Sequence, residues 1–246
     1  MSNVPPGTMN LLIINIALWL VCSFAGSFGD TIYAYLGLHY WGAEGFNPMQ
    51  FVTYMFLQAP LGSSAGITHI LFNMFALYMF GRILELTWGT KRFLLFYFVT
   101  GVGAALIQEL TWMATLDHDF YSMWGAQNGV TAEEMKAFAG AHTALAIESM
   151  NNYMSSLLTI GASGAVFGLL LGFGVVYPNA PMYLFFIPVP IKAKWLVLGY
   201  AALEFFFGVS GAVSSVAHFA HLGGMLFALP LLWYWHKKGT LHGRRY

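Results

Sequence analysis

Long runs of apolar residues dominate the chain and are separated by shorter polar stretches. A helix needs about 20 predominantly apolar residues to cross the hydrocarbon core of a bilayer. The pattern therefore predicts six transmembrane helices, at about 11–28, 65–86, 93–113, 157–177, 194–210 and 213–235. The fourth span is short if it begins near Ser163, and it then starts below the membrane surface. We expect an all-α, polytopic membrane protein built as a six-transmembrane-helix bundle.

Composition supports a membrane protein and excludes several other classes. Hydrophobic residues make up 58% of the 246 residues and charged residues only 8%, whereas soluble domains carry about 25% charged residues. The formal net charge is zero, which argues against a nucleic-acid partner. A single cysteine, Cys22, cannot form an internal disulfide and leaves no cysteine-based zinc site.

The basic residues indicate how the predicted spans are oriented. With six spans, every lysine and arginine except Lys136 falls on the side that carries both termini. Because cytoplasmic loops are enriched in basic residues, both termini are expected in the cytoplasm, with 236–246 as a basic tail. The compact six-span form without a targeting extension favours the inner (plasma) membrane of a bacterium, with a mitochondrial origin as the alternative.

Two connections differ from simple turns. The connection at 114–156 is long, acidic and predicted on the outer side, and Thr131 followed by Glu134 is typical of a capping box before a short surface helix. The segment 177–194 contains four prolines, so it cannot be a continuous helix. We expect it to be an interfacial cytoplasmic loop.

Polar residues inside the apolar spans are the candidate functional residues, because such residues are costly in a membrane. His69 and Asn73 lie four residues apart in span two and so share one helix face. Ser163 opens span four, and His218 and His221 lie in span six. All three groups fall at a similar depth.

Small residues repeat at four-residue spacing in spans four and six, which lets two helices approach closely in lipid. The two stripes are Gly164, Gly168 and Gly172, and Ala220, Gly224 and Ala228. If these stripes meet, Ser163 and His221 come within hydrogen-bonding reach. A serine hydroxyl needs an adjacent base to act as a nucleophile, and imidazole suits that role near neutral pH.

Each of these residues also has an ordinary structural explanation. Ser163 could serve helix packing, a membrane histidine could make an interhelical hydrogen bond, and Asn73 could hold two helices together. Three unrelated packing residues would fall at the same depth in three spans only by chance. The combination therefore favours a site.

The motifs around these residues resemble those of the rhomboid family of intramembrane serine proteases. The motifs are GASG at 161–164, AHLGG at 220–224, HILFNM at 69–74 and FGRILE at 80–85. Their order and spacing match the family, and the likeness covers roughly residues 50–230. It implies one rhomboid-like membrane domain over 1–246, with a core at about 50–235.

The resemblance implies a role for each site residue. Ser163 would be the nucleophile and His221 the general base, a dyad without a carboxylate, and Glu204 in span five is the one candidate to orient His221. Asn73, His69 and the Ser163 amide would hold the oxyanion. Supporting positions are Phe167 against the histidine, the motif glycines Gly161 and Gly164, and His218. Gln58 stands where the family often has a histidine.

The function implied is a serine endopeptidase that cuts transmembrane protein substrates within the bilayer, without metal or cofactor. One alternative is a catalytically inactive rhomboid-like protein that binds or escorts membrane helices. Another is a small transporter or channel, although no inverted repeat is visible. A metalloprotease is disfavoured because the sequence contains no H-E-x-x-H motif.

Overall fold

The computed structural model describes residues 4–64, 66–184, 187–210 and 217–242, which are mostly helical. The helices, in chain order, are α1 (Pro6–Phe24), α2 (Ser27–Leu36), α3 (Gln50–Thr53), α4 (Gly66–Ala76), α5 (Arg82–Trp88), α6 (Thr90–Asn128), α7 (Ala132–Ala141), α8 (Thr143–Ser156), α9 (Ser163–Val176), α10 (Ala193–Ser210) and α11 (His218–Lys237). A 3-10 turn, Tyr54–Phe56, follows α3, and a π-helical segment, Leu77–Gly81, joins α4 to α5. Two antiparallel pairs are β1 (Leu38–His39) with β2 (Leu158–Thr159), and β3 (Pro181–Leu184) with β4 (Ile187–Lys192).

The helical membrane fold predicted from the sequence is confirmed. Within the described ranges, four helical stretches are long and apolar enough to cross a membrane: α1, the continuous α4–α5 rod, α6 and α10. The 14-residue α9 is apolar, but at about 1.5 Å per residue it is shorter than the hydrocarbon core. The chain is therefore an integral, multi-pass membrane protein, and the count of six spans stays a prediction.

Three of the helices differ in their bounds from the predicted spans. Helix α9 begins at Ser163, as the shorter alternative for span four predicts, and not at 157. The first helix runs over Pro6–Phe24 rather than 11–28, and Gly26 with a positive φ of 55° separates it from α2. The third continues to Asn128 instead of ending near residue 113, and Gly129 closes it in the left-handed conformation. The apolar pattern stops where a helix leaves the lipid, but backbone hydrogen bonding can continue into water. Hydropathy alone therefore misplaces this helix end.

The capping box predicted in the long connection is confirmed at the start of α7. The Thr131 hydroxyl accepts from the Glu134 N–H at 3.3 Å, and the Glu134 carboxylate accepts from the Thr131 N–H at 2.8 Å. The Thr131 N–H, and after it the Thr131 hydroxyl, which donates to the same carboxylate oxygen at 3.0 Å, hold the pKa of Glu134 below its usual value. The predicted single surface helix is in fact two, α7 and α8, which meet at His142.

The proline-rich segment 177–194 is not simply a loop, because it contains the β3–β4 pair. In a two-stranded ribbon both strands are edge strands, so a proline can lie where its missing N–H would have faced outward. The prolines therefore excluded a helix, as expected, without excluding strands.

Helix α9 lies between α6 and α11, and glycines set its close contacts. A Cβ at Gly224 would collide with the backbone carbonyl of Gly164, so α11 and α9 touch through their backbones. The two small-residue stripes meet, as predicted, at Gly164, which lies beside Gly224 and the Ala220 carbonyl. Gly168 packs against Thr100 of α6, and Gly172 packs against Phe96 and Trp88. A four-residue step advances about 40° beyond a full turn, so the stripe on α9 rotates from α11 towards α6.

A buried carboxylate ties the start of α1 to the α5–α6 junction. Glu85, 2% exposed, accepts from the Gly7 N–H at 2.8 Å and from the Thr8 N–H at 2.6 Å. The hydroxyls of Thr8 and Thr90 each donate to it at 2.7 Å. Negative charge is favoured at a helix N-terminus, where backbone N–H groups lack intrahelical partners. This clamp fixes the first helix against the rest of the bundle.

Candidate active site

Ser163 is the first residue of α9, and the preceding loop is held firmly. Gly161 has a φ of +131°, which a residue with a side chain rarely adopts. Its N–H donates to the Tyr54 carbonyl at 3.0 Å, and the buried Tyr54 hydroxyl donates to the Gly101 carbonyl at 2.8 Å. Because Ser163 begins the helix, its own backbone N–H has no intrahelical acceptor. The serine thus combines a fixed position with an available amide.

His221 of α11 contacts Ser163 directly. Its Nε2 lies 2.8 Å from the Ser163 Oγ, within hydrogen-bonding distance. The Phe167 ring, one turn along α9 from the serine, stacks on the imidazole with 4.3 Å between ring centroids and 5° between planes. His221 is only 8% exposed. Phe167 and the close contact at Gly164 therefore orient an imidazole whose Nε2 faces the serine.

His69 of α4 reaches the same place from the other side. Its Nδ1 accepts from the Ala59 N–H at 3.1 Å, so a neutral ring carries its proton on Nε2. A Cβ built on Gly161 would lie 3.1 Å from this Nε2 and 3.5 Å from the Ser163 Oγ. The His69 Nε2–H is thus a donor close to the serine, and a side chain at position 161 would crowd the space between them.

Asn73 lies one turn further along α4 and is 6% exposed. Its side-chain amide donates to the Gln58 Oε1 at 2.9 Å, and the Gln58 amide donates to the Asn15 Oδ1 at 2.8 Å. Gln58 and Asn15 are fully buried. This chain of amides, which the sequence did not reveal, holds Asn73 in one orientation and leaves its second N–H for another acceptor.

Glu204 of α10 stands beside both histidines of α11, contrary to the expectation of a pair without a carboxylate. Its Oε2 lies 2.6 Å from the His218 Nδ1, a hydrogen bond, and 3.1 Å from the His221 Nδ1. The second contact has the distance of an ion pair without the direction of a hydrogen bond, and the buried His221 Nδ1 has no hydrogen-bond partner. His218 therefore bonds to Glu204, while His221 bonds to Ser163.

The same three side chains, Glu204, His218 and His221, form the one group of possible metal ligands among the described residues, with ligand atoms within 4.8 Å of one another. Zinc accepts such ligands. In this structure the carboxylate oxygen already holds the His218 Nδ1 at 2.6 Å, a separation too short for two ligands of one zinc ion with bonds of about 2 Å in tetrahedral geometry.

An apolar cavity of about 340 Å³ adjoins the site between α4, α9 and α10. Asn73 and Phe167 line it together with aliphatic and aromatic side chains. A cavity of this kind accepts an apolar side chain, with Asn73 as the polar group at its wall.

The chain resembles known proteins along most of its length. The family model of the Rhomboid domain matches residues 46–238. The chain is 26% identical to Rhomboid-like protein 11, chloroplastic, of Arabidopsis thaliana over an alignment of 249 residues including gaps, which covers 92% of this chain and 64% of that protein. It is 31% identical to Rhomboid protein 1, mitochondrial, of Saccharomyces cerevisiae over 113 residues, 46% of this chain and 32% of that protein. The chain therefore spans less than two thirds of either relative.

Proposed function

Because this chain belongs to the rhomboid family, we propose that it is an intramembrane serine endopeptidase that hydrolyses peptide bonds in or near transmembrane segments of other membrane proteins. The observation that carries the proposal is the 2.8 Å separation of the Ser163 Oγ and the His221 Nε2 at the head of a buried helix. A serine becomes a competent nucleophile when a neighbouring base accepts its proton.

In the first half of the proposed reaction, the Ser163 Oγ attacks the scissile carbonyl carbon as its proton passes to the His221 Nε2. The new C–O bond leaves negative charge on the former carbonyl oxygen. When this intermediate collapses, the C–N bond breaks and His221 returns the proton to the leaving amine. The products are a released amine fragment and an ester on Ser163.

We assign stabilisation of the oxyanion to three donors around the serine. These are the Ser163 N–H, the His69 Nε2–H and the second N–H of Asn73. The Ala59 N–H sets the His69 tautomer, and Gln58 orients Asn73, so both side chains are held before substrate arrives. Donors fixed in advance stabilise developing charge without a cost of reorganisation.

In the second half, water attacks the ester while His221 takes a proton from it. The ester bond breaks, Ser163 recovers a proton, and the carboxylate fragment leaves. Lipid excludes the water that this step needs. We therefore propose that a water-filled space connects the site to the outer aqueous phase. Helix α9 is too short to reach the outer surface, and this space lies above its first residue, the nucleophile.

The proposed substrate is a transmembrane segment that unwinds locally, because an intact helix hides its carbonyl groups from a nucleophile. The apolar cavity beside Asn73 and Phe167 supplies a place for a substrate side chain. We also propose that both termini face the cytoplasm of a bacterium with the protein in its inner membrane. The two relatives named above are organellar by name and do not support that location.

The proposal is tested with the full chain in liposomes and a reporter membrane protein whose transmembrane segment carries small residues. Ser163→Ala should abolish cleavage while leaving the thermal unfolding midpoint in detergent unchanged. Equal cleavage by Ser163→Ala and the unaltered protein would overturn the assignment. If the unaltered protein binds the reporter without cutting it, the chain is an inactive helix-binding relative instead.

A further inference from the structure

The one acidic residue of α10 points into the bundle. Its neighbours Leu203, Phe205 and Phe206 are at least half exposed on the outside of the bundle, where lipid surrounds them. The Glu204 side chain is only 13% exposed. Carboxylates inside membranes are costly, so they are found paired and at sites of function. Glu204 thus requires an explanation beyond packing.

The partners of Glu204 are the two histidines of α11. One carboxylate oxygen, Oε2, accepts from the His218 Nδ1–H at 2.6 Å and lies 3.1 Å from the His221 Nδ1. The His221 Nε2 faces the serine, so a proton on the neutral ring must be on Nδ1 if Nε2 is to act as a base. The nearby negative charge favours that tautomer, and it favours the imidazolium even more.

We propose, on the premise that the chain is a serine protease, that Glu204 is a positioning residue which converts the serine–histidine pair into a serine–histidine–glutamate triad. Its charge stabilises the imidazolium that forms at His221 when Ser163 attacks. His218 holds the carboxylate in place through the shorter hydrogen bond. The acid comes from a different helix than the histidine, so the α10–α11 contact assembles the triad.

Other titratable groups around His221 act differently from Glu204. In the described part of the chain, His69 of α4 lies beside the serine that His221 contacts, and His218 lies on the same helix as His221. Both can only be neutral or positive. Glu204 is thus the group here whose charge favours protonated His221, and its removal has a defined sign.

The test compares Glu204→Gln with the unaltered protein in liposomes. The kcat and KM of reporter cleavage, and their pH dependence, are measured for both. Loss of an opposite charge at ~4–6 Å destabilises a cation by about 10- to 1,000-fold, and the lower part of that range applies because the contact of Glu204 to His221 is not a hydrogen bond. We expect kcat to fall about 10- to 100-fold at neutral pH with KM unchanged, because Glu204 contacts no substrate. This loss is smaller than the ~10⁴-fold loss in soluble triads, since the contact to His221 is not a directed hydrogen bond.

The pH profile separates positioning from a merely structural role. The base must be neutral to accept a proton, so cleavage activity has an acid limb. Without the carboxylate, which lies 3.1 Å from the His221 Nδ1, that acid limb should move to lower pH, because the charge that favours the protonated ring is gone. Glu204→Asp, which keeps the charge, should restore kcat and the position of the limb in part.

A matched control is Glu109→Gln on α6. Glu109 is also buried, but it accepts from the Trp41 N–H at 2.8 Å and contacts neither histidine. The Glu109→Gln variant should leave both kcat and the position of the acid limb unchanged.

Three outcomes would overturn the positioning role. The first is unchanged kcat and an unmoved acid limb in Glu204→Gln. The second is an equal shift in Glu109→Gln. The third is loss of wild-type activity on chelation and its recovery with Zn²⁺, since the three residues would then be metal ligands. If the unaltered protein fails to cleave the reporter at all, the proposed function fails instead.

Discussion

A methyl group added at Gly224 tests whether the close contact between α9 and α11 sets the distance from Ser163 to His221. The added Cβ would collide with the Gly164 carbonyl, which is backbone and cannot turn aside. The two helices would have to separate by roughly 1 Å, and a misplacement of about 1 Å can lower a catalysed rate about 10²-fold. Because His221 lies one turn before Gly224, this separation lengthens the 2.8 Å contact to the serine.

The expected result for Gly224→Ala is a fall of about 100-fold in kcat for reporter cleavage in liposomes. Overpacking of a close contact costs typically about 1–3 kcal/mol, so the unfolding midpoint in detergent should also fall. Gly199→Ala is the matched control. It lies on the exposed face of α10, and its added Cβ would meet nothing within 4 Å. Alanine favours a helix over glycine by up to ~1 kcal/mol, so this variant should be as stable and as active as the unaltered protein.

If Gly224→Ala keeps the kcat of the unaltered protein, the contact between α9 and α11 does not set the distance from Ser163 to His221. The same conclusion follows if Gly199→Ala loses activity to the same extent, because the loss would then follow from any added methyl group rather than from the helix contact.

Two further predictions concern stability away from the serine. Glu85→Gln should lower the unfolding free energy by about 1–3 kcal/mol. The substitution replaces one carboxylate oxygen, which accepts from the N–H of Gly7 or Thr8, with an NH₂ group that cannot accept. An unchanged unfolding midpoint in detergent would contradict the stabilising role of this clamp. Thr131→Ala should speed amide exchange in α7 several-fold without changing cleavage, because it removes the capping box. The pKa of Glu134 is lower in the folded protein than in the unfolded chain. The capping box should therefore protect α7 from amide exchange fully above the unfolded-state pKa of about 4.3, and this protection should be lost as pH falls through the lower folded-state pKa. Protection that increases on acidification would show that the capping box is not its source.

Polar residues in apolar runs are conspicuous, which is why the sequence points to the principal residues of the candidate site. Ser163 and His221 meet at 2.8 Å, and His69 lies beside them, as the shared depth in their spans predicts. The resemblance implies that Phe167, one turn beyond the serine, lies against the histidine, and its ring stacks there. These relations depend on depth and on periodicity along one helix, both of which can be counted along a sequence.

Side-chain contacts that depend on the rotation of a helix about its axis cannot be predicted from depth or periodicity. Helix α10 is apolar on all sides but one, so hydropathy does not tell which face turns inward, and the sequence names Glu204 only as a candidate to orient His221. The buried chain from Asn15 through Gln58 to Asn73 joins three distant segments through side-chain amides. No local pattern marks such a network before the fold is known.

The central claim is that Ser163 is a nucleophile activated by His221, and covalent labelling tests it most directly. The full protein in liposomes is treated with a fluorophosphonate, and the modified residue is identified by mass spectrometry of its peptides. We predict one phosphonate adduct on Ser163 in the unaltered protein and none in a folded His221→Ala variant. No adduct on Ser163, or an equal rate of labelling in His221→Ala, would contradict the claim.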